Sequence, residues 1–304
     1  MWLLYAFSGP LLWAVSTHID KYLVDNYFRD ADTNVLILFT ALIGAALLPV
    51  IYVVQPHVLS PAPGPIAVMM FSGALYISAI LFYLRAIQSE EASVVAPLFQ
   101  ASTLFTFMLG YIFLHESLKP GQIFGGALIL IGALGLSLNN GMNFKGFNVR
   151  VVVLMLGCTF VLAVSSVMFK YFAIRDDFWT VTFWTFVGQA FVGLAFFARP
   201  AYRRQFADLF RANPGAVIGI NAANELVNLG AGLGVRYASM LAPVALVSAI
   251  SSTTTFFVFS FGILLTLFFP KLGREDMSAR NLVRKAVGAT LIAGGVILIE
   301  SGGI

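Results

Sequence analysis

One apolar segment, Gly215 to Val235, carries the residues best suited to chemistry. Its polar residues share one helical face because they are spaced at three, four and seven: Asn221, Asn224, Glu225 and Asn228. Glu225 is the central residue, and a carboxylate at a bilayer midplane costs about 2.5–3.5 kcal/mol unless it faces a polar cavity or a partner. We expect this face to line a central cavity, where Glu225 binds a cationic substrate group or carries a coupling proton. The alternative is a structural clamp between helices, with the Asn side chains as hydrogen-bonding partners.

Residues on other segments are candidates to complete such a site. Gln100 belongs to a polar stripe on the fourth apolar segment, and Trp13 on the first could pack against a substrate, although most aromatic residues here should contact lipid or helices. Pro97 and Pro243 occupy matching positions early in the fourth and ninth segments. A proline frees a backbone carbonyl and kinks a helix, which suits a gate. The alternative is a proline tolerated in the first helical turn.

Motifs for catalysis, metal binding and nucleotide hydrolysis do not occur in the sequence. There is no His-Glu-x-x-His, Gly-x-Ser-x-Gly or Walker-type loop, and the three histidines lie on separate segments without ligand spacing. The single cysteine, Cys158, excludes a disulfide framework and a cluster of cysteine ligands. We therefore predict no catalytic residue, no metal site and no cofactor.

Composition indicates that the chain is dissolved in a membrane. Its 304 residues are 59% hydrophobic and 11% charged, with a mean hydropathy of +0.89. Soluble domains are about 45–50% apolar and 25% charged. We predict a multi-pass protein of the plasma membrane (a bacterial inner membrane), with the lipid bilayer as a partner, as a monomer or homodimer. Its basic loops report topology, so nucleic-acid binding is not expected.

Ten apolar runs reach the length of about 20 residues that a helix needs to cross a bilayer. The first half contains five: Leu3 to Tyr22, Asn34 to Val54, Pro65 to Ile87, Ala92 to Leu114 and Gly121 to Leu138. The second half contains five more: Val151 to Phe172, Phe178 to Phe197, Gly215 to Val235, Leu241 to Phe269 and Val283 to Ile299. Their polarity does not alternate as in barrel strands, so helices are predicted.

The two halves also repeat each other in sequence. Three pairs of matching motifs keep their order: Ala14-Val15-Ser16 with Ala163-Val164-Ser165, Ala92-Ser93-x-x-Ala96-Pro97 with Ala238-Ser239-x-x-Ala242-Pro243, and Gly125-x-x-Leu128 with Gly288-x-x-Leu291. Five crossings return the chain on the opposite face, so the second set must be inverted. We predict an all-α membrane protein of ten transmembrane helices in two inverted five-helix repeats, residues 1–143 and 144–304. An insertion around Phe269 to Arg284 belongs to the second repeat alone.

Charged residues and glycines complete this expectation. Loops after odd-numbered helices carry fourteen of the 18 Lys and Arg residues, which places both termini outside by the positive-inside rule. The remaining four are Lys119, Lys170, Arg175 and Arg236. Lys170 is expected to snorkel to the interface and Glu116 to be solvated at a helix end. The basic segment Arg199 to Arg211 should include an interfacial amphipathic turn, and glycines such as Gly125 should form helix-packing surfaces.

Several weak motifs in one order give the chain a family resemblance. They are Trp13 with Lys21 eight positions on, Ala92-Ser93-Val94-Val95-Ala96-Pro97, and Leu114-His115-Glu116 before Gln122-x-x-Gly125-x-x-Leu128-Ile129-x-x-Gly132. With these, essentially the whole chain resembles the ten-helix EamA-like branch of the drug/metabolite transporter superfamily. The second repeat departs from the pattern, since it has the insertion and lacks a clean glutamate after its fourth helix. The resemblance implies termini inside, opposite to the charge count.

These observations predict a secondary transporter, working as an exporter, for small organic metabolites. The duplicated halves would alternate access about a central cavity, with a small-molecule substrate and H⁺ as the candidate coupling ion. One alternative is a flippase for a lipid-linked substrate, which a lateral opening with a basic headgroup pocket would favour. Another is a membrane scaffold or an intramembrane enzyme, which a buried metal or nucleophile–base pair would favour.

Overall fold

The computed structural model describes residues 1–27, 33–89, 98–137, 149–212, 214–268 and 278–302, and within these ranges the chain is helical without any strand. The first half contains α1 (Trp2–Asn26), α2 (Thr33–Val54), a 3₁₀ turn (Pro56–Leu59), α3 (Pro63–Ser89), α4 (Ala101–Leu114) and α5 (Pro120–Ser137). The second half contains α6 (Val149–Ala173), α7 (Phe178–Phe197), α8 (Pro200–Ala212), a π-helical turn (Gly215–Asn221), α9 (Ala222–Leu241), α10 (Val244–Ser251), α11 (Thr254–Phe268) and α12 (Ala279–Ser301). The predicted all-α class is therefore confirmed.

Most predicted spans match these helices to within four residues at each end, and the main differences lie in the eighth and ninth spans, the ninth being divided into α10 and α11. α7 has the predicted limits, but α9 continues beyond Val235 to Leu241. The ninth span therefore starts at Val244 rather than Leu241. The prediction ended the eighth span too early because Arg236 marks a loop by composition alone. Residues 92–97 of the predicted fourth span lie outside the described residues.

Four stretches of the described chain are both long and apolar enough to cross a membrane: Pro63–Tyr83, Val149–Ala173, Phe178–Phe197 and Val244–Phe268. Leu38–Val54, Ala101–Leu114 and Pro120–Leu136 are apolar but shorter. Helices α1 and α9 carry polar and charged groups such as Asp20 and Glu225, which lower their mean hydropathy. The arrangement of ten spans in two inverted repeats thus remains a prediction.

The main helix contacts join the first half of the chain to the second. α1 packs on α9, α3 on α6 and α7, α2 on α7, α4 on α6, and α5 on α12. Contacts along α1 and α9 run in opposite directions, since Gly9 lies near Val235 whereas Asp20 hydrogen-bonds Asn224. The halves therefore form one interleaved bundle, in which antiparallel neighbours come from different halves.

The backbones of α5 and α12 approach each other at paired glycines. A Cβ placed on Gly125 would lie 2.5 Å from the carbonyl oxygen of Gly295, and one placed on Gly295 would lie 2.5 Å from that of Gly125. Two helical turns away, a Cβ on Gly132 would lie 2.7 Å from the carbonyl oxygen of Gly288. In a membrane no hydrophobic effect drives helices together, so close van der Waals packing at small residues stabilises their association. The predicted packing role of these glycines is confirmed.

We expect Gly125→Ala to destabilise the protein by about 1–3 kcal/mol, because backbone rather than a flexible side chain would have to move. Gly135 is the matched control on the same helix, since a Cβ there meets nothing within 4 Å. Gly135→Ala should be neutral or stabilising by up to about 1 kcal/mol, the helix-propensity gain. Unfolding in mixed detergent micelles measures both, and equal behaviour of the two variants would contradict the close packing.

The segment Arg199 to Arg211 forms helix α8, as expected for its amphipathic pattern. No residue of α8 is buried, and the phenyl ring of Phe206 lies 4.8 Å from that of Phe39 on α2. Leu209 packs on the same cluster. The helix therefore rests on the bundle by one apolar edge.

The start of α7 is fixed by an acidic cap. Asp177 Oδ1 accepts hydrogen bonds from the N–H groups of Trp179 and Thr180 at 2.8 and 3.1 Å, and His57 Nε2 lies 3.3 Å from Asp177 Oδ2. Burial raises the pKa of Asp177, but the hydrogen bonds from Thr180 and Trp179, with the nearby His57, outweigh it and hold the pKa below its usual range. The ionised form is therefore the form that stabilises the helix end.

Replacing Asp177 by Ala should cost about 0.5–2 kcal/mol at neutral pH, whereas Asn should preserve most of the cap. Folding lowers the pKa of Asp177, so its contribution is complete above the unfolded value of about 3.9 and disappears as pH falls through the lower folded-state pKa. Thermal unfolding over this acidic range should show a shallower loss of stability for Asp177→Ala than for the parent. Parallel pH profiles would contradict the assignment.

Candidate functional site

A backbone break separates α9 from α10. Ala242 is extended (φ −144°, ψ 162°), and Pro243 (φ −52°, ψ 134°) immediately precedes the first helical residue, Val244. Pro243 thus caps the helix rather than kinking its interior, as for a proline tolerated at a helix start. Its predicted partner Pro97 lies outside the described residues. The gating role of both prolines remains a prediction.

A buried ion pair stabilises the backbone on both sides of this break. The ammonium group of Lys170 lies 2.5 Å from Glu116 Oε1 and donates a hydrogen bond of 2.6 Å to the Ala242 carbonyl oxygen. Glu116 Oε2 in turn accepts the Val244 N–H at 2.8 Å. His115, at the end of α4, has a left-handed backbone (φ 54°), which turns the chain from α4 toward Glu116.

The sequence-based expectations for these two charges were wrong. Lys170 does not snorkel, because only 7% of the residue is exposed. Glu116 is not solvated either, since 12% of its side chain is exposed. Each charge is stabilised by the other and by backbone dipoles, and the pair joins the first half of the chain to the second.

We expect Lys170→Met to cost about 3–5 kcal/mol, because it leaves the Glu116 carboxylate buried without its counter-ion. Adding Glu116→Gln to that variant should recover part of the loss, since no unpaired charge then remains. The exposed His57–Asp177 pair is the control, and His57→Gln should change stability by at most about 1 kcal/mol. The four unfolding free energies test this, and a double variant no more stable than Lys170→Met would count against the pair.

A cavity of about 470 Å³ lies among the helices of both halves. Its wall includes Trp13 of α1, Tyr76 of α3, Gln100 before α4, Phe169 of α6 and Arg236 of α9. Hydroxyl groups cover the side formed by α4, α10 and α11: Ser102, Thr106, Ser248, Ser251, Ser252, Thr254 and Thr255. Thr103 and Ser248 link α4 to α10 at 3.0 Å. Two of the predicted residues, Trp13 and Gln100, are thus brought together in one wall.

The predicted asparagine–glutamate face lies apart from this wall. Glu225 Oε1 accepts a hydrogen bond of 3.1 Å from Thr40 on α2, and Asn224 Nδ2 donates one of 2.5 Å to Asp20 Oδ1 on α1. These four residues, Asp20, Thr40, Asn224 and Glu225, form an acidic cluster. None of them, nor Asn221 or Asn228, belongs to the cavity wall.

Some polar atoms of this region have no protein partner among the described residues. They are Asn221 Nδ2 and Asn224 Oδ1, on residues that are 6% and 0% exposed. An unsatisfied buried polar group costs about 1–3 kcal/mol, so a purely structural clamp would leave few of them. Within the described chain no group of three His, Cys, Asp or Glu residues could hold a metal ion.

Arg236 is the wall residue that sequence reasoning missed, because its charge was assigned to a loop. It follows Glu225 by eleven residues on α9, or three helical turns, so both lie on one face about 16 Å apart. The guanidinium carbon lies 5.8, 5.1 and 5.4 Å from the ring centres of Tyr76, Phe169 and Phe186. The three-turn spacing from Glu225 was the available signal, but it needed the helix to continue past Val235.

A solved crystal structure shares this fold over the whole chain. It has a TM-score of 0.69 and 17% sequence identity, covering 98% of this chain and 97% of that chain. At such low identity the likeness concerns the fold alone. No curated protein matches the chain significantly.

The family model that matches is that of the EamA-like transporter family, over residues 1–138. This stretch contains the whole first predicted repeat up to the end of α5, and with it most of the motifs that carry the resemblance. The chain is therefore a helical multi-pass membrane protein whose residues 1–138 match the EamA-like transporter family.

Proposed function

We propose that this protein is a secondary transporter that exports small organic metabolites by alternating access. The observation that carries the proposal is the cavity of about 470 Å³ enclosed by helices of both halves. That volume falls within the range of about 300–1,000 Å³ typical of small-molecule sites, and its wall combines apolar and aromatic side chains with a few polar groups.

The helix contacts support two repeats, residues 1–143 and 144–304, related by inverted symmetry. Exchanging the halves turns the α1–α9 contact into the α6–α3 contact, and the α1–α11 contact into the α6–α4 contact; all four occur. The α2–α7 and α5–α12 contacts map onto themselves. The antiparallel pairing of α1 with α9 agrees with alternating crossings. Rocking of two such repeats would expose a shared cavity to either side in turn.

Within this mechanism we assign Glu225 to proton coupling rather than to substrate binding. Its carboxylate lies in the acidic cluster with Asp20 and outside the cavity wall. It nevertheless shares a face of α9 with Arg236, so a movement of that helix would couple the two places.

Glu225→Gln tests this role because the amide keeps the shape and the hydrogen bond but cannot exchange a proton. In proteoliposomes loaded with a transported metabolite, we expect the variant to lose accumulation driven by a pH gradient while substrate exchange survives. Glu300→Gln, at the exposed end of α12, is the matched control and should behave as the parent.

Transport itself is tested first, by comparing metabolite export and uptake in cells that lack or overproduce the protein. A metabolite whose export rises with the amount of protein supports the proposal and supplies the substrate. No change in any metabolite would reject the transporter assignment. A Glu225→Gln variant with unaltered pH dependence would instead reject only the coupling role.

A further inference from the structure

We propose that the cavity binds organic anions, with the anionic group on Arg236 and an apolar or aromatic body against the opposite wall. The inference rests on the proposed transport function and names its substrate class. Among the described residues that form the wall, Arg236 alone carries a full charge, and none is Asp or Glu. A ligand entering this cavity therefore meets one cationic side chain and no carboxylate among the described wall residues.

The guanidinium of Arg236 has no counter-ion among the described residues. The two ion pairs of that part of the chain are His57 with Asp177 and Lys170 with Glu116. Glu225, on the same face of α9, is about three turns away, and its Oε1 accepts a hydrogen bond from Thr40. No hydrogen bond joins the Arg236 side chain to a described residue.

Three aromatic rings lie near the guanidinium of Arg236, and none of them forms a hydrogen bond with it. Tyr76, Phe169 and Phe186 each present a ring within 6 Å of the guanidinium carbon. An aromatic ring presents its face to a cation and is no conventional acceptor, so the N–H donors of Arg236, a fork that matches carboxylate and phosphate oxygens, have no hydrogen-bond partner among the described residues. The aromatic contacts therefore preorganise Arg236 for an anion.

A second polar group in the wall also lacks a protein partner. Thr185 is completely buried, and its Oγ1 has no hydrogen bond among the described residues although Thr185 contributes to the wall. Its hydroxyl is available as a donor to an anionic oxygen. Because a hydroxyl can also accept, Thr185 is compatible with an anion, and the preference for an anion over a cation comes from Arg236.

The rest of the wall determines the body of the ligand. Apolar and aromatic side chains provide most of its surface, including Trp13, Ile80, Phe99, Leu162, Val235 and Val247. Such a surface cannot replace the water shell of a small hydrated ion, and it favours the burial of an organic group. An anionic substrate also suits the proposed direction, since an inside-negative potential of about 100 mV raises the equilibrium ratio of outside to inside concentration of a monovalent anion roughly 50-fold.

Three probes of similar shape separate the possible charges: phenylacetate, phenylacetamide and phenylethylamine. Binding to the purified protein in lipid nanodiscs can be followed by the quenching of tryptophan fluorescence, because Trp13 lies in the wall. We expect phenylacetate to bind at least about tenfold more tightly than either other probe, the effect of one charge-assisted contact.

Arg236→Gln should reduce phenylacetate affinity at least about tenfold and leave phenylacetamide affinity unchanged. The phenylacetate affinity of Arg236→Lys should lie between those of the parent and Arg236→Gln. Arg175→Gln is the matched control, because the Arg175 guanidinium lies 3.5 Å above the Tyr171 ring at an exposed position outside the cavity. It should bind all three probes as the parent does.

The parent's order of affinities decides the inference even if Arg236→Gln fails to fold. Preference for phenylethylamine, equal affinity for the three probes, or no binding of phenylacetate would overturn it. Failure of the transporter assignment looks different, since overproduction would then alter export of no metabolite. Export that rises only for cationic or neutral metabolites would retain the transporter and reject the anion.

Discussion

The cost of removing a charge from water determines how this helical bundle is built. An isolated ion in a low-dielectric interior is far less stable than in water, so it must find a counter-ion, backbone dipoles or a polar ligand. Lys170 and Glu116 meet that requirement with each other and with the backbone at Ala242 and Val244. Their pairing fixes the end of α4 against the start of α10, which also positions the hydroxyl-bearing wall of the cavity.

The same constraint explains why the two other charged sites differ in character. Arg236 is held by aromatic faces and keeps its donors free, which suits a group that binds a ligand transiently. Glu225 accepts a hydrogen bond from Thr40, and Asp20 accepts hydrogen bonds from Asn224 and Ser16. Neither carboxylate forms an ion pair with a described residue. A transporter needs sites of this kind, since each must be filled and emptied in every cycle.

The duplicated sequence is not matched by identical environments. Lys170 is buried in its ion pair, whereas Lys21, at the corresponding place in the first repeat, is exposed. A bundle of two inverted repeats that alternates between two states would show this difference, because the closed side of one repeat corresponds to the open side of the other.

The sequence alone determined the membrane environment, the helical class and most helix limits, because the length and periodicity of apolar segments are local properties of a chain. It gave the limits of α7 without error, the amphipathic α8 and the glycine surfaces on α5 and α12. The EamA-like resemblance was likewise legible in short motifs, and the family match over residues 1–138 confirms it.

Only the tertiary structure decided which polar groups meet. Lys170 and Glu116 are 54 residues apart in sequence yet form one ion pair, and Thr40 reaches Glu225 across 185 residues. Trp13 and Gln100 proved to share a wall with Arg236, whereas the asparagine–glutamate face belongs to another cluster. A residue's type gives the cost of burying it, but its partner depends on the packing of distant helices, which no local pattern in the sequence encodes.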